Sequence, residues 1–130
     1  MSKVTKNPTF FVDIDGTLVV YRKFSELSTA VLTPIQDVID TVNEYYDKGA
    51  CIVITSARPI EYELFTKQEL EKIGVKYHQL VMGIGRGTRV ILNDTDPESP
   101  EIPRALGVNM VRNEGFGELD IKSLVNSYEV

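Results

Sequence analysis

The stretch Thr9-Phe-Phe-Val-Asp-Ile-Asp-Gly-Thr17 decides the fold of this chain. Its β-branched and aromatic residues predict a buried strand over Thr9–Ile14, and the Asp-Gly pair predicts a turn directly after it. Asp13 and Asp15 therefore lie at the carboxyl end of the predicted strand, where their spacing places both side chains on one side.

The rest of the chain alternates between helical and strand patterns. Apolar residues at helical spacing predict a helix from Thr33-Pro34 to Lys48-Gly49, with Thr33 as its cap and Pro34 at its first position. Continuous apolar character predicts a buried parallel strand at Ala50–Thr55. The remaining predicted elements are a helix at Ile60–Ile73 that ends at Gly74, strands at Tyr77–Met82 and Arg89–Asn93, an edge strand at Val108–Arg112 and a helix at Ile121–Tyr128.

This order of elements predicts an α/β fold of three layers around a doubly wound, mostly parallel sheet. No repeat or linker interrupts it, so residues 1–130 are predicted to form a single domain. Such sheets bind ligands beyond the carboxyl ends of their strands. The predicted loops at those ends carry the polar residues Asp13, Asp15, Ser56, Arg58, Asp94 and Asp96.

Composition and charge restrict the class of protein. The chain has 130 residues, 42% hydrophobic and 25% charged, which is typical of soluble globular proteins. The formal net charge of -5 gives no electrostatic footprint for nucleic acid, so duplex DNA is predicted to be a poor partner. No apolar run approaches a membrane span or a signal peptide, and Cys51 is the single cysteine, which together predict a cytoplasmic protein.

Three aspartates predict phosphoryl chemistry with a metal. A carboxylate attacks a phosphate dianion poorly because like charges repel, so a site built on Asp13 needs added positive charge. Mg²⁺ prefers oxygen ligands, and Asp13, Asp15 and Asp94 are the candidate metal ligands. Asp13 is then the candidate nucleophile, while Asp15 is placed to carry protons to and from the leaving group.

Phosphate binding needs further groups around this pair. Gly16 allows a sharp bend that lets backbone N–H groups face a phosphate. Ser56 and Arg86 are candidates to bind its oxygens. The alternatives remain that Ser56 only caps a helix, that Arg86 is a solvated loop residue, and that residues 112–115 either line the site or end the domain.

The motifs resemble those of a known family. Residues 10–18, Phe-Phe-Val-Asp-Ile-Asp-Gly-Thr-Leu, are similar to the first motif of the haloacid dehalogenase superfamily. Residues 52–59, ending in Ser-Ala-Arg-Pro, resemble its second motif, and residues 90–94, Val-Ile-Leu-Asn-Asp, resemble its fourth. The resemblance implies a phosphatase in which Asp13 forms an aspartyl-phosphate and Asp15 is the general acid and base.

The resemblance also assigns binding roles. It implies Ser56 as the phosphate-binding residue of the second motif, with Thr55 as the alternative, and Asp94 as a metal ligand, although Asn93 stands where many relatives have Asp. The family's usual third-motif lysine is missing, and Arg86 is expected in its place, with Arg89 and Lys67 as rivals. The full set of implied phosphate-binding residues is Gly16, Thr17, Ser56, Ala57, Arg58 and Arg86.

The intervals between motifs leave no room for the cap domain that family members usually carry. The resemblance therefore implies a small capless phosphatase that uses Mg²⁺ and acts on a phosphorylated small molecule, such as a sugar phosphate, or on a carrier-linked sugar. A second copy of the chain in a homo-oligomer is one way to supply a lid. The alternatives are a nucleic-acid 3'-phosphatase resembling the phosphatase half of polynucleotide kinase, and a catalytically weak binding or regulatory module.

Overall fold

Three parallel strands form the sheet. The computed structural model describes residues 7–127, so residues 1–6 and the predicted helix end at Tyr128 lie outside the described residues. β1 (Thr9–Asp13), β2 (Cys51–Thr55) and β3 (Gln79–Val81) pair in the order β1-β2-β3. Asp13 pairs with Thr55, and Thr55 with Val81, so the three carboxyl ends lie level. The first three predicted strands are thus confirmed.

Helices connect the strands. α1 (Gln36–Asp47) follows β1, α2 (Glu63–Ile73) follows β2, and α3 (Ile121–Asn126) lies near the end, with 3₁₀ turns at Phe24–Glu26 and Ile60–Tyr62. α2 ends before Gly74, as the sequence predicted, and Gly74 has a φ of +73°, the left-handed conformation that commonly ends helices. No helix within residues 7–127 is long and apolar enough to span a bilayer.

α1 begins later than the Thr33-Pro34 pattern predicted. Val20 donates its backbone N–H to Thr33 O at 2.8 Å, and Ile35 donates to Leu18 O at 2.8 Å. These bonds tie the segment before α1 to the chain after β1, so its backbone is extended where a helix was expected. The residue that precedes α1 is Ile35, without a side-chain cap hydrogen bond, and the prediction of Thr33 as the cap was wrong.

The apolar stripe of α1 covers one face of the sheet. Val12, Ile52 and Ile54 of the strands are buried in one hydrophobic cluster with Val38, Ile39, Val42 and Tyr45 of α1. Because alternate residues of a strand point to opposite faces, Phe11 lies on the other face from Val12. Phe11 is 60% exposed, so that face is open at β1.

The described sheet is wound in one direction only. Leu70 of α2 belongs to the same cluster as α1, as expected when successive right-handed crossovers run the same way across a sheet. A doubly wound sheet needs a later strand on the far side of β1. The predicted strand at Arg89–Asn93 would have supplied it.

That fourth strand is not formed. Residues 88–96 have no regular secondary structure, and Val90, Ile91 and Leu92 are 75%, 51% and 91% exposed. The predictions of strands at Arg89–Asn93 and Val108–Arg112 were wrong because an apolar run becomes a strand only where a neighbouring strand pairs with its backbone, which the local pattern does not specify. Residues 7–127 form a small α/β fold of three parallel strands and three α-helices, compatible with a Rossmann-like architecture.

Candidate active site

Asp13 lies at the carboxyl end of β1, directly beside the end of β2. Its carboxylate is 44% exposed and accepts a hydrogen bond from Thr17 Oγ1 at 3.3 Å. Arg89 Nη2 lies 3.8 Å from Asp13 Oδ1. Burial raises the pKa of Asp13 above its usual value, and the opposing effect of Arg89 does not cancel the rise. A partly desolvated carboxylate is chemically suited to bind a metal cation or to attack a phosphorus atom.

Backbone hydrogen bonds to the carbonyl oxygen of Ile14 close the turn after β1. The backbone N–H groups of Thr17 and Leu18 both donate to Ile14 O, at 3.1 and 2.9 Å. Gly16 has φ of +90° and donates to Val19 O at 2.8 Å. The amides of Gly16 and Thr17 are therefore used inside the turn, and their predicted role in binding phosphate requires these bonds to be exchanged.

The buried Ser56 side chain hydrogen-bonds to the backbone of the loop after β2. It is 1% exposed, and its Oγ accepts the backbone N–H of Arg58 at 3.0 Å, across the half-buried Ala57. Ser56 does not cap a helix, because the 3₁₀ turn before α2 has Pro59 as its cap residue. Its hydroxyl is built into the loop, and its role as a phosphate ligand stays a prediction.

Arg58 clamps Asp15. Its Nε donates to Asp15 Oδ2 at 3.0 Å and its Nη2 donates to Asp15 Oδ1 at 2.8 Å, a bidentate pair. The Arg58 side chain is fully buried, and the Asp15 side chain is 9% exposed. The structure therefore brings Arg58 to Asp15, and the role of Arg58 as a phosphate-binding residue stays a prediction.

The Arg58 side chain that binds Asp15 also binds residues of α2, and together these side chains form a series of alternating charges. Arg58 Nη1 donates to Glu69 Oε1 at 2.9 Å and to Thr66 Oγ1 at 3.1 Å. Glu69 Oε1 also accepts from Arg22 Nη2 at 2.8 Å. Burial acts to raise the pKa of Glu69, but the hydrogen bonds from Arg22 and Arg58 outweigh it and lower the pKa below its usual value.

Sequence reasoning missed Glu69 and Arg22. A signal for Glu69 was present, because it falls in the inward stripe of α2 with Thr66 and Leu70. A carboxylate at a buried helical position requires a cationic partner, and that requirement marks it as part of a network. Arg22 carries no such signal, because it lies in a loop without periodicity.

Arg89 is the cation that the structure pairs with Asp13. Arg86, the residue expected in place of the third-motif lysine, instead stacks over the Phe24 ring at 4.3 Å. Lys67 pairs with Glu63 at 3.6 Å on the exposed side of α2. Of Arg86 and its two rivals, Arg89 is thus the one that lies beside the candidate nucleophile Asp13.

Asp94 and Asp96 lie in the irregular chain that follows. Asp94 is exposed and accepts from Arg104 Nη1 at 3.1 Å, while Asp96 accepts the N–H of Glu98 at 2.9 Å and so caps the Pro97 turn. Within residues 7–127, no three His, Cys, Asp or Glu side chains gather as a metal cluster. Asp13 fits Mg²⁺, which commonly takes one or two carboxylates with water and substrate oxygens. Arg58 binds both oxygens of Asp15, and Arg104 binds Asp94 Oδ1 at 3.1 Å, so these two carboxylates would have to exchange hydrogen bonds to bind the ion.

Two arginine side chains stack on aromatic rings of the chain between β1 and α1. Arg112 stacks over the Tyr21 ring at 4.1 Å, and Arg86 stacks over Phe24. Asn113 donates its N–H to Gly16 O at 2.9 Å, so the segment at residues 112–115 lines the first motif.

Comparison with known proteins supports the fold. No protein-family model matches the chain, and no curated protein matches it. A structural-genomics target from Vibrio cholerae is similar in structure, with a TM-score of 0.55 and 19% identity over 93% of this chain and 96% of that one. A chain of the Pnkp1/Rnl/Hen1 complex is also similar, with a TM-score of 0.52 and 19% identity over 68% of this chain. This chain spans about a third of the latter, 33% of its length.

Proposed function

We propose that this chain is a phosphomonoesterase that works through an aspartyl-phosphate on Asp13. The observation that carries the proposal is the pairing of a half-exposed Asp13, beside Arg89, with a second carboxylate two residues away that is held by Arg58. One carboxylate is open to substrate and cation, and the other is oriented by a buried guanidinium. These are the two roles that phosphoryl transfer to an aspartate requires.

The reaction proceeds in two displacements. Asp13 attacks phosphorus, the bond from phosphorus to the leaving alcohol breaks, and Asp15 gives that alcohol its proton. Water then attacks the phosphorus of the aspartyl-phosphate, Asp15 takes the proton from the water, and inorganic phosphate leaves as Asp13 is regenerated. Arg89 lies where it can offset the negative charge that gathers between Asp13 and the phosphoryl oxygens.

Mg²⁺ is the proposed cofactor. When bound, it would neutralise the phosphate charge that otherwise repels the Asp13 carboxylate. Asp13 would hold it together with water and substrate oxygens, and Asp94 would join only if its segment approaches β1. Asp15 serves the metal only if it releases Arg58.

The substrate proposed first is a sugar phosphate or carrier-linked sugar phosphate, and the 44% exposure of the Asp13 side chain leaves its carboxylate accessible to such a molecule. A nucleic-acid 3'-phosphate is the second candidate, and the stacked pair of Arg112 and Tyr21 beside Gly16 favours it. Bases stack on aromatic rings and arginine planes, and arginines attract backbone phosphates. The net charge of -5 acts against this candidate at long range.

The test is phosphate release by the purified protein with Mg²⁺. We expect turnover of an aryl phosphate that Asp13→Asn abolishes and that a chelator removes. Phosphate release from a set of sugar phosphates and from a 3'-phosphorylated oligonucleotide, measured at equal concentrations, then ranks the two substrate classes. Absence of release across the whole panel refutes the proposal and favours the binding-module alternative.

A further inference from the structure

The four buried charges next to the active site form a chain whose far end lies outside the proposed reaction. Asp15, Arg58, Glu69 and Arg22 alternate in sign and are joined by hydrogen bonds of 2.8 to 3.0 Å. Their side chains are 9%, 0%, 8% and 4% exposed. Water therefore screens these charges little, and each of them depends on its neighbours for compensation.

Asp15 has both oxygens committed to Arg58 in this arrangement. To hand a proton to a leaving alcohol, Asp15 must give up at least one of these two bonds, because an oxygen already bound to a guanidinium is a poor proton carrier. Arg58 would then lose part of its counter-charge while fully buried. An uncompensated buried charge is strongly unfavourable, so the release of Asp15 needs another anion at Arg58.

Glu69 is that second anion. It binds Arg58 through Nη1, which is the nitrogen that does not touch Asp15. Arg58 therefore keeps a carboxylate partner when Asp15 moves. Thr66 also binds Nη1, but its hydroxyl is neutral and cannot compensate the charge.

We propose that Glu69 is a positioning residue that holds Arg58 from α2 and so lets Asp15 release the guanidinium and act as general acid. This inference rests on the proposed phosphatase function. It assigns Glu69 a part in the chemistry although the residue touches neither substrate nor Asp15. The competing explanation is that the chain of charges only joins α2 to the loop that carries Arg22.

The dependence on leaving group separates the two explanations. Departure of p-nitrophenolate needs no proton, whereas departure of an alkoxide does. The ratio kcat/KM covers the steps up to loss of the leaving group, so it isolates the general-acid step. A structural defect lowers kcat/KM for both substrates alike.

The experiment compares Glu69→Gln with Thr66→Val, which removes a neutral partner of the same Arg58 nitrogen. For Glu69→Gln we expect kcat/KM to fall ~30-fold or more for an alkyl phosphate and less than ~3-fold for p-nitrophenyl phosphate, within the usual range of general-acid catalysis. For Thr66→Val we expect kcat/KM to fall less than ~3-fold for both substrates. If Glu69→Gln does not fold, the double variant Glu69→Gln/Arg22→Gln, which removes one charge of each sign, is measured in its place.

The outcomes distinguish the two proposals. An equal loss for both substrates, or no loss for either, in an active protein overturns the role of Glu69 and leaves the phosphatase function standing. A wild-type protein without Asp13-dependent turnover overturns both.

Discussion

Two regions of the molecule each contain a short apolar run of similar sequence, but the residues of the two runs differ in what they contact. In the sheet region, residues 9–81, Ile52 and Ile54 are fully buried between strands and helices. In the irregular segment, residues 83–120, Leu92 is 91% exposed although Val-Ile-Leu is as typical of a strand as Ile-Val-Ile. The difference shows that a neighbouring strand, and not composition, decides whether such a run becomes part of a sheet.

The candidate active site is divided along the same boundary. The sheet region supplies Asp13, Asp15 and Arg58, which are tied to one another or to adjoining strand ends. The irregular segment supplies the exposed cation Arg89 and the exposed carboxylate Asp94. The proposed nucleophile and proton carrier thus lie at or next to strand ends, whereas the proposed cation Arg89 and metal ligand Asp94 lie on chain without regular structure.

The largest effect on stability is expected from removing the buried ion pair between Arg58 and Asp15. Arg58→Met should lower the free energy of unfolding by roughly 3–5 kcal/mol, because it leaves Asp15 as a buried carboxylate without a partner. Lys67→Met is the matched control, since it removes an exposed ion pair from α2 and should change stability by less than about 1 kcal/mol. Denaturant unfolding measures both. Equal effects would mean that the clamp does not stabilise the fold.

The second test applies one substitution to each region. Leu70→Ala should cost about 2–5 kcal/mol, because Leu70 is 1% exposed in the core. Leu92→Ala should change stability by no more than about 0.5 kcal/mol, because its side chain is in water. Thermal unfolding of the two variants gives the comparison directly. A large loss for Leu92→Ala would show that the irregular segment is packed in solution.

The smallest effect is expected from replacing glycines, and it should be larger at Gly16, which has a positive φ, than at Gly87, which has open space around it. Gly16→Ala should cost about 1–2 kcal/mol, since φ is +90° and a Cβ would lie 3.1 Å from Arg112 Cγ. Gly87→Ala meets nothing within 4 Å and should be neutral within about 0.5 kcal/mol. Unfolding midpoints of the two variants are sufficient. A neutral Gly16→Ala would show that the turn relaxes.

Local signals predicted the sheet region well. The strand before Asp13, the apolar strand before Ser56 and the glycine stop of α2 at Gly74 were all evident, because period and turn chemistry act between near neighbours. Pairing of the Arg89–Asn93 run could not be predicted, because it depends on a partner distant in sequence. The position of Glu69 on the inward stripe of α2 indicated that it needs a cationic partner, but Arg58 and Arg22 could not be predicted as those partners, since ion pairs across a fold leave no fixed spacing in the chain.

The central claim is that Asp13 carries the phosphoryl group, and chemical trapping tests it most directly. The protein is mixed with Mg²⁺ and a phosphate ester, quenched in acid and treated with borohydride, which reduces an aspartyl-phosphate to homoserine. Mass spectrometry of the peptide that spans residues 9–22 then locates the change. We predict homoserine at Asp13 and nowhere else in that peptide. Homoserine at Asp15, or phosphate release without any reduced residue, would contradict the account.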